Sequence, residues 1–241
     1  MCFDISSTKI KQLIEKNRTA SFYGDFDYEP FYHVSGFAYP IVSIIKMEEP
    51  NIIYPSIWGF VPEWGQADVS SFRKKYNTLN AKSETLLTSN MYKESAKEKR
   101  CLILTDGFFE PHKSNGRSIP YYCYIPTKEY KDSRDIFVFA GIYNELEENK
   151  STCSIITTEA NDFFSEIHNV KKRMPLVLNN DLEGEWLQEG LDENYIKEIM
   201  RDGFTTKEFK AHAVSRNLYD RKRITNVPSI LAPVNYNTLF D

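Results

Sequence analysis

The stretch from Cys101 to Pro126, CLILTDGFFEPHKSNGRSIPYYCYIP, sets two apolar runs on either side of Ser114-Asn115-Gly116-Arg117. Asn-Gly between apolar runs is the signature of a two-residue type I′ hairpin, whose central residues both need positive φ. With Asn115 and Gly116 as the loop, Ser114 faces Arg117, and counting back sets Pro111 opposite Pro120 and Glu110 opposite Tyr121. Two opposed prolines fit a non-hydrogen-bonded pair, since neither can donate to the ladder. The stretch therefore predicts antiparallel sheet in mid-chain and gives Glu110 a definite cross-strand neighbour.

Working outward, short apolar runs between Tyr32 and Phe60 alternate with Gly36, Pro40, Pro50 and Pro55, a pattern of several strands and irregular turns. Further strands are predicted at Ile136–Ala140, Thr152–Thr157 and Met174–Leu178. Helices are predicted near Ala160–His168, Asp181–Gln188 and Asn194–Arg201. Ser6-Ser7-Thr8 followed by Ile10, Leu13 and Ile14 reads as a capped helix over residues 8–17, and Ser83-Glu84 as the start of another reaching about Lys99. Strands and helices mix without βαβ alternation. The expected class is α+β, one domain over residues 1–241, with a curved, mainly antiparallel, barrel-like sheet flanked by helices.

A hydrophobic share of 41% supports a sizeable core, and 14% aromatic residues with only 10 glycines argue against disorder. Thirty basic residues against 34 acidic ones leave a net charge of −4, which excludes binding a polyanion by bulk charge. Any nucleic-acid contact must use a local basic groove. Met1-Cys2-Phe3-Asp4 carries no basic leader region, and no apolar run approaches a membrane span, so a cytoplasmic protein without membrane contact is expected. The cysteines Cys2, Cys101, Cys123 and Cys153 are widely spaced, with neither Cys-x-x-Cys nor His-x-x-x-His, so no metal, disulfide framework or other cofactor is expected.

Chemistry concentrates at Cys2. Removal of Met1 would expose an amine and a thiol on adjacent carbons, and such a 1,2-aminothiol captures aldehydes. The α-amine, with a reference pKa of about 7.7–8.0, is partly neutral at pH 7 and forms a Schiff base that the thiol closes to a thiazolidine. Taken alone, Cys2 reads rather as a small buried hydrophobe, the usual state of a free cysteine. Glu110 follows two aromatics on a strand, where burial would suit a carboxyl to proton transfer; its bland alternative is an outward-facing strand residue. His168 ends a predicted helix, as a tunable imidazole or merely a cap. Asn80 precedes a helix signal, and its amide either orients a substrate or ends an extended segment. Cations gather at Arg73-Lys74-Lys75, Lys82, Lys171-Lys172-Arg173 and Arg221-Lys222-Arg223. Trp58, Phe60, Trp64, Phe72 and Tyr76 interleave with the first group, a composition suited to single-stranded nucleic acid and equally to a solvated surface.

Read in order, Met1-Cys2, Ile57-Trp58-Gly59-Phe60-Val61-Pro62-Glu63-Trp64, Asn80-Ala81-Lys82-Ser83-Glu84-Thr85, Arg100-Cys101-Leu102-Ile103 with Asp106-Gly107-Phe108-Phe109-Glu110, Phe139-Ala140-Gly141, and Ile167-His168 with Arg173-Met174-Pro175 resemble the SRAP family of SOS-response-associated peptidases. The resemblance spans nearly the whole chain. It implies a sensor of abasic sites in single-stranded DNA that joins covalently to the lesion, with self-processing that exposes Cys2. It also implies Cys2 as nucleophile, Glu110 as acid/base, His168 as proton donor and positioner, and Asn80 as polar anchor. Pro40, Trp58, Trp64, Lys82, Thr157, Arg173 and Met174 would line the DNA or support the site, in a monomer that needs no metal. The chain departs from the family pattern in four places. Phe3-Asp4 replaces Gly-Arg, Lys82 replaces Arg, Pro111 replaces Trp, and Asn169 to Lys172 widen the spacing after His168. A Cys-dependent N-terminal-nucleophile amidohydrolase and a non-catalytic single-stranded DNA-binding module are the alternatives, the first acting without DNA and the second surviving loss of Cys2.

Overall fold

The hairpin forms in the predicted register, with Ser114 opposite Arg117, Pro111 opposite Pro120 and Glu110 opposite Tyr121. Asn115 and Gly116 both hold positive φ, at 48° and 75°, as a type I′ turn demands. The computed structural model describes residues 2–146, 150–203 and 206–236. Its strands are β1 (Asp4–Ser7), β2 (Ser21–Phe22), β3 (Phe31–Ser35), β4 (Ile41–Lys46), β5 (Ile52–Trp58), β6 (Asn80–Lys82), β7 (Arg100–Thr105), β8 (Gly107–Ser114), β9 (Arg117–Tyr124), β10 (Phe137–Glu145), β11 (Ser151–Glu159), β12 (Arg173–Pro175) and β13 (Lys210–Ala213). Its helices are α1 (Lys11–Arg18), α2 (Val69–Lys75), α3 (Lys93–Glu98), α4 (Asp162–Ile167), α5 (Asn180–Trp186) and α6 (Glu193–Asp202). The α+β class with a curved, mainly antiparallel sheet is borne out.

The sheet curves until it meets itself. Strands β11, β10, β7, β4 and β5 pair antiparallel in that order, and β5 returns to β11 in parallel through Ile57 opposite Thr152 and Trp58 opposite Cys153. Period-two alternation then gives each strand an inner and an outer face. Cys101, Ile103, Phe137, Phe139, Cys153 and Ile155 share one apolar cluster. Leu102, Leu104, Val138, Ala140, Ile142 and Ile156 belong to another, completed by Ile14 of α1, Trp186 of α5, and Ile196 and Ile199 of α6. Burial on both faces is why these strands read as continuous apolar runs. Fully buried Arg100 ties helices to β7: its guanidinium donates to the carbonyls of Ala96 and Trp186 at 3.1 and 2.8 Å, and to those of Lys97 and Gln188.

A second, antiparallel sheet runs β13-β9-β8-β1-β3, and the chain passes into it from β7 at Asp106. Strand β1 corrects the sequence reading: residues 4–7 are extended, wedged between β3 and β8, and α1 starts only at Lys11. The hydroxyls expected to cap the helix are engaged elsewhere. Ser6 Oγ donates to Asp106 at 2.7 Å, Thr8 Oγ1 bonds the same carboxylate, and Ile10 at the N-cap offers no side-chain acceptor. The helix expected from Ser83 to about Lys99 is also split, into a 3-10 turn (Ser83–Thr85) and α3. Between them Thr88, Ser89 and Asn90 favour turn geometry, and Ser89 Oγ accepts from Met91 N at 3.2 Å, competing with helical bonding. The strand expected at Met174–Leu178 is paired as β12 only through Pro175, with Val177 adding an isolated bridge to Phe139. Strands β6 and β13 and helix α2 went unread because each is short and has no clean period. No helix among the described residues is long and apolar enough to cross a membrane.

Candidate functional site

Four segments distant in sequence meet where β1 enters its sheet. The first is Cys2, fully buried, whose following residue is pinned by Gly36 N donating to the Phe3 carbonyl at 2.7 Å. The second is Asn80, at the head of β6, which runs parallel to β11 with Asn80 opposite Ile155. Its Nδ2 donates to the Cys2 carbonyl at 2.8 Å. Trp58 supports this loop from below, since its indole N–H donates to the Leu79 carbonyl at 2.8 Å and the ring is wholly enclosed.

Glu110 and His168 supply the other two segments. The Glu110 carboxyl is completely buried on β8, with Oε2 3.0 Å from His168 Nδ1. His168 follows α4 and closes it through its backbone N–H to the Phe164 carbonyl at 2.8 Å. Its Nδ1 also lies 3.1 Å from the Arg173 carbonyl. With a carboxylate oxygen and a carbonyl oxygen both in reach, Nδ1 is the ring nitrogen that carries the proton. The added residues after His168 dock the helix end: Lys172 N returns to the His168 carbonyl at 2.9 Å, and Asn169 makes two reciprocal bonds of 2.9 Å to the backbone of Lys113. The longer spacing therefore buys a clamp between α4 and β8.

The thiol of Cys2 is held well above the ordinary range, first by burial and next by the Glu110 carboxylate. Cys123 is raised for the same two reasons in the same order. Register explains the second thiol, because Cys123 faces Phe108 and so lies diagonal to Glu110. Sequence reasoning passed over Cys123, although the predicted hairpin register contained the signal. It also gave Asp106 no role of its own, whereas the carboxylate binds Ser6, Thr8 and Lys9.

The residues expected to line DNA divide into supports and surface groups. Trp58, Thr157 and Met174 are buried, with exposures of 0, 0 and 3%. Phe60 and Phe72 are buried as well, so of the interleaved aromatics only Trp64 and Tyr76 offer a ring to solvent. Trp64 is 57% exposed and packs edge-on against Phe72 and Tyr76. Pro40 is half-buried, and its carbonyl accepts from Trp58 N at 2.9 Å. Lys82 is exposed opposite Thr157, and Arg173 faces Glu159 across β11, so the two cations flank the end of that strand. Arg173 is held by both Glu84 carboxylate oxygens and by the Thr157 carbonyl at 2.7 Å. The cluster Arg221-Lys222-Arg223 lies in a separate, exposed turn.

Comparison with known proteins follows the same outline. The family model described as SOS response associated peptidase (SRAP) matches residues 1–220. The abasic site processing protein YoqW of Bacillus subtilis (strain 168) is 29% identical over 213 residues, covering 86% of this chain and 89% of its own. The abasic site processing protein HMCES of Gallus gallus is 34% identical over 142 residues, 52% of this chain and 41% of its own. A solved protein from Bacteroides thetaiotaomicron superposes with a TM-score of 0.80 at 28% identity, covering 97% of this chain and 100% of its own. One from Bordetella bronchiseptica, at 20% identity and a TM-score of 0.70 over 89% of this chain and 100% of its own, is alike in fold.

Proposed function

Because the chain belongs to the SOS response associated peptidase (SRAP) family, we propose that it processes abasic sites in single-stranded DNA by joining covalently to them through Cys2 once Met1 has been removed. The observation that carries this reading is the convergence of Cys2, Asn80, Glu110 and His168, with Asn80 on the Cys2 carbonyl at 2.8 Å and His168 on Glu110 at 3.0 Å. The relatives named abasic site processing proteins support the substrate class.

The chemistry follows from the electrophile. A ring-opened abasic deoxyribose exposes an aldehyde at C1′. The freed α-amine of Cys2 adds to that carbon and water leaves, giving a C=N bond. The thiol then adds to the same carbon, its sulfur forming the new S–C1′ bond while its proton passes to the nitrogen. The product is a thiazolidine, and the net change is loss of one water with no oxidation or reduction. A thiol whose pKa is raised is not a preformed thiolate, so the ring closure needs a base at the moment of attack. Glu110 is the carboxylate beside it, taking the thiol proton and passing it to the ring nitrogen, while His168 Nδ1–H holds that carboxylate in place. Asn80 holds the Cys2 carbonyl so that amine and thiol reach one carbon. The self-processing implied by the family name removes Met1 from the same site, and the chain acts as one unit and as a monomer.

Denaturing electrophoresis of the protein, with its free Cys2 verified by mass, after mixing with an oligonucleotide carrying one abasic site, tests the reading. A shifted band should form that requires the lesion and disappears to background in Cys2→Ala, which keeps its fold. A band that persists in Cys2→Ala rules out the aminothiol. Small-amide hydrolysis without DNA would favour the amidohydrolase.

A further inference from the structure

Arg73, the fifth residue of the seven-residue α2, sits over the ring of Tyr39 with its central guanidinium carbon 4.0 Å from the ring centre. The residue is half-buried, and its Nε and Nη2 are screened from water yet donate to no acceptor among the described residues. Together Nε and Nη2 form one edge of the guanidinium fork, the pair of donors that matches two oxygens of one anion. Burial lowers the guanidinium pKa. A screened charged donor without an acceptor is costly, and native structures retain such groups mainly where a ligand or function uses them.

The ring beneath the guanidinium is held by its own backbone and by its close approach to Gly59. Tyr39 sits in the left-handed region with φ 52°, a conformation that is unfavourable for a non-glycine residue, and its N–H is tied to the Gly36 carbonyl at 2.9 Å. Gly59, with φ 129°, also lies against the ring, and an added Cβ there would stand 2.6 Å from a Tyr39 ring carbon. Only glycine lets the ring lie there. Strain, a tailored floor and an unanswered cation thus coincide at one point, two residues along from Phe37, whose 56% exposed ring packs on Phe3 at 4.9 Å. Cys2 is the next residue. Lys74 and Lys75 extend the positive charge at the end of α2, and exposed Trp64 stands beside it on Phe72 and Tyr76.

We propose that the Arg73 fork, held over the Tyr39 ring, binds a phosphodiester of the DNA strand that carries the lesion, next to the site of Cys2. The inference rests on the substrate class of the proposed function, and it deepens that reading by assigning a backbone contact to a residue outside the catalytic cluster. Trp64 is positioned to stack a base of the same strand.

Affinity for an undamaged single-stranded oligonucleotide, measured by fluorescence anisotropy over a salt series, tests it without requiring the covalent step. Arg73→Met, which keeps the stem over Tyr39, should bind about tenfold more weakly and lose about 0.7 from the slope of log affinity against log salt, the share of one phosphate contact on a single strand. Arg73→Lys, with charge but no fork, should fall between, and Lys197→Ala on α6 should match wild type. Thermal melting of Arg73→Met should be no lower than wild type, because unpaired donors have been removed. Unchanged affinity and slope in Arg73→Met, or a loss equalled by Lys197→Ala, would overturn the assignment. Wild-type protein that forms the lesion adduct while Arg73→Met binds normally sinks only this inference. Wild-type protein that binds through Arg73 yet forms no adduct sinks only the covalent function, and a wild type that binds no oligonucleotide sinks both.

Discussion

Asp106 and Glu110 lie four residues apart, and their exposures are 1% and 0%, yet they keep opposite company. Asp106 is ringed by permanent donors from one short segment: Ser6 Oγ at 2.7 Å, Thr8 N at 2.9 Å, Lys9 Nζ at 3.1 Å and the Thr8 hydroxyl. Lys9 is itself buried, and shared between Asp106 and Asp132. Glu110 instead lies beside the His168 imidazole at 3.0 Å and near the thiols of Cys2 and Cys123, which burial and then its own charge hold above their ordinary range. The two carboxylates act at opposite ends of the same N-terminal stretch, one anchoring residues 6–9 and the other standing at residue 2. A carboxylate saturated by fixed donors locks geometry, whereas one among titratable partners can move a proton.

The largest expected separation comes from removing each charge with its amide. Glu110→Gln should slow adduct formation about 100-fold or more, the usual scale of a lost general acid or base, in single-turnover gel assays. Asp106→Asn should instead destabilise the fold by about 3 kcal/mol, because it leaves buried Lys9 paired only with the partly exposed Asp132 and takes a carboxylate acceptor from the Ser6 and Thr8 donors. Its melting midpoint should fall by roughly 10 °C or more, while adduct formation by the folded fraction changes little. If the two variants exchange these signatures, the comparison is broken.

Two smaller effects sharpen it. A cycle of Lys9→Met, Asp106→Asn and the double variant in urea should show a coupling of about 0.5–3 kcal/mol, and additivity would deny that Lys9 is the partner that matters. Asn80→Ala removes the bond to the Cys2 carbonyl and should slow adduct formation about tenfold, the equivalent of about 1.4 kcal/mol, with the melting midpoint lowered only slightly.

The pH dependence is the subtlest test. Cys2 and Cys123 have folded pKa values raised above the unfolded thiol, so the unfolded state loses protons first as pH rises. The stability linked to these thiols is complete below the ordinary thiol value of about 8.5 and is lost progressively above it. Urea midpoints from pH 8 to 10 should therefore decline, and less steeply in Cys123→Ala after correction for the lost methylene and sulfur packing. A midpoint that stays flat, or that declines equally in the variant, would remove Cys123 from the group facing Glu110.

Local rules made parts of this legible in advance. Asn115-Gly116 gave not only a hairpin but its register, and with it the inward alternation that buries Phe108 and Glu110. Helices α5 and α6 form close to the expected ranges, and the structure adds the cap of α6, Asp192, whose side chain accepts from Asn194 N and Tyr195 N. The N-terminal stretch misled for a physical reason: Ser and Thr before an apolar period are helix caps only if nothing else claims their hydroxyls, and Asp106, about a hundred residues away, claims two of them. Lys82, Trp64 and Arg173 were visible as residues, but whether each is a surface group or a support depends on neighbours brought in by the sheet.

What the sequence determined by itself is the set of reactive groups and the local geometry of turns and periodic segments, because these depend on covalent identity and on neighbours a few positions away. An aminothiol precursor at Cys2, a hairpin at Asn115-Gly116 and an α+β class are all of that kind. Tertiary structure decided which of those groups meet. Closure of β5 onto β11, and insertion of β1 between β3 and β8, bring Cys2, Asn80, Glu110 and His168 together from segments separated by up to 166 positions in the numbering. The same long-range packing leaves Asp106 saturated and Arg73 unanswered, since hydrogen-bond partners for a buried charge are set by what lies near it in space, which no local pattern records.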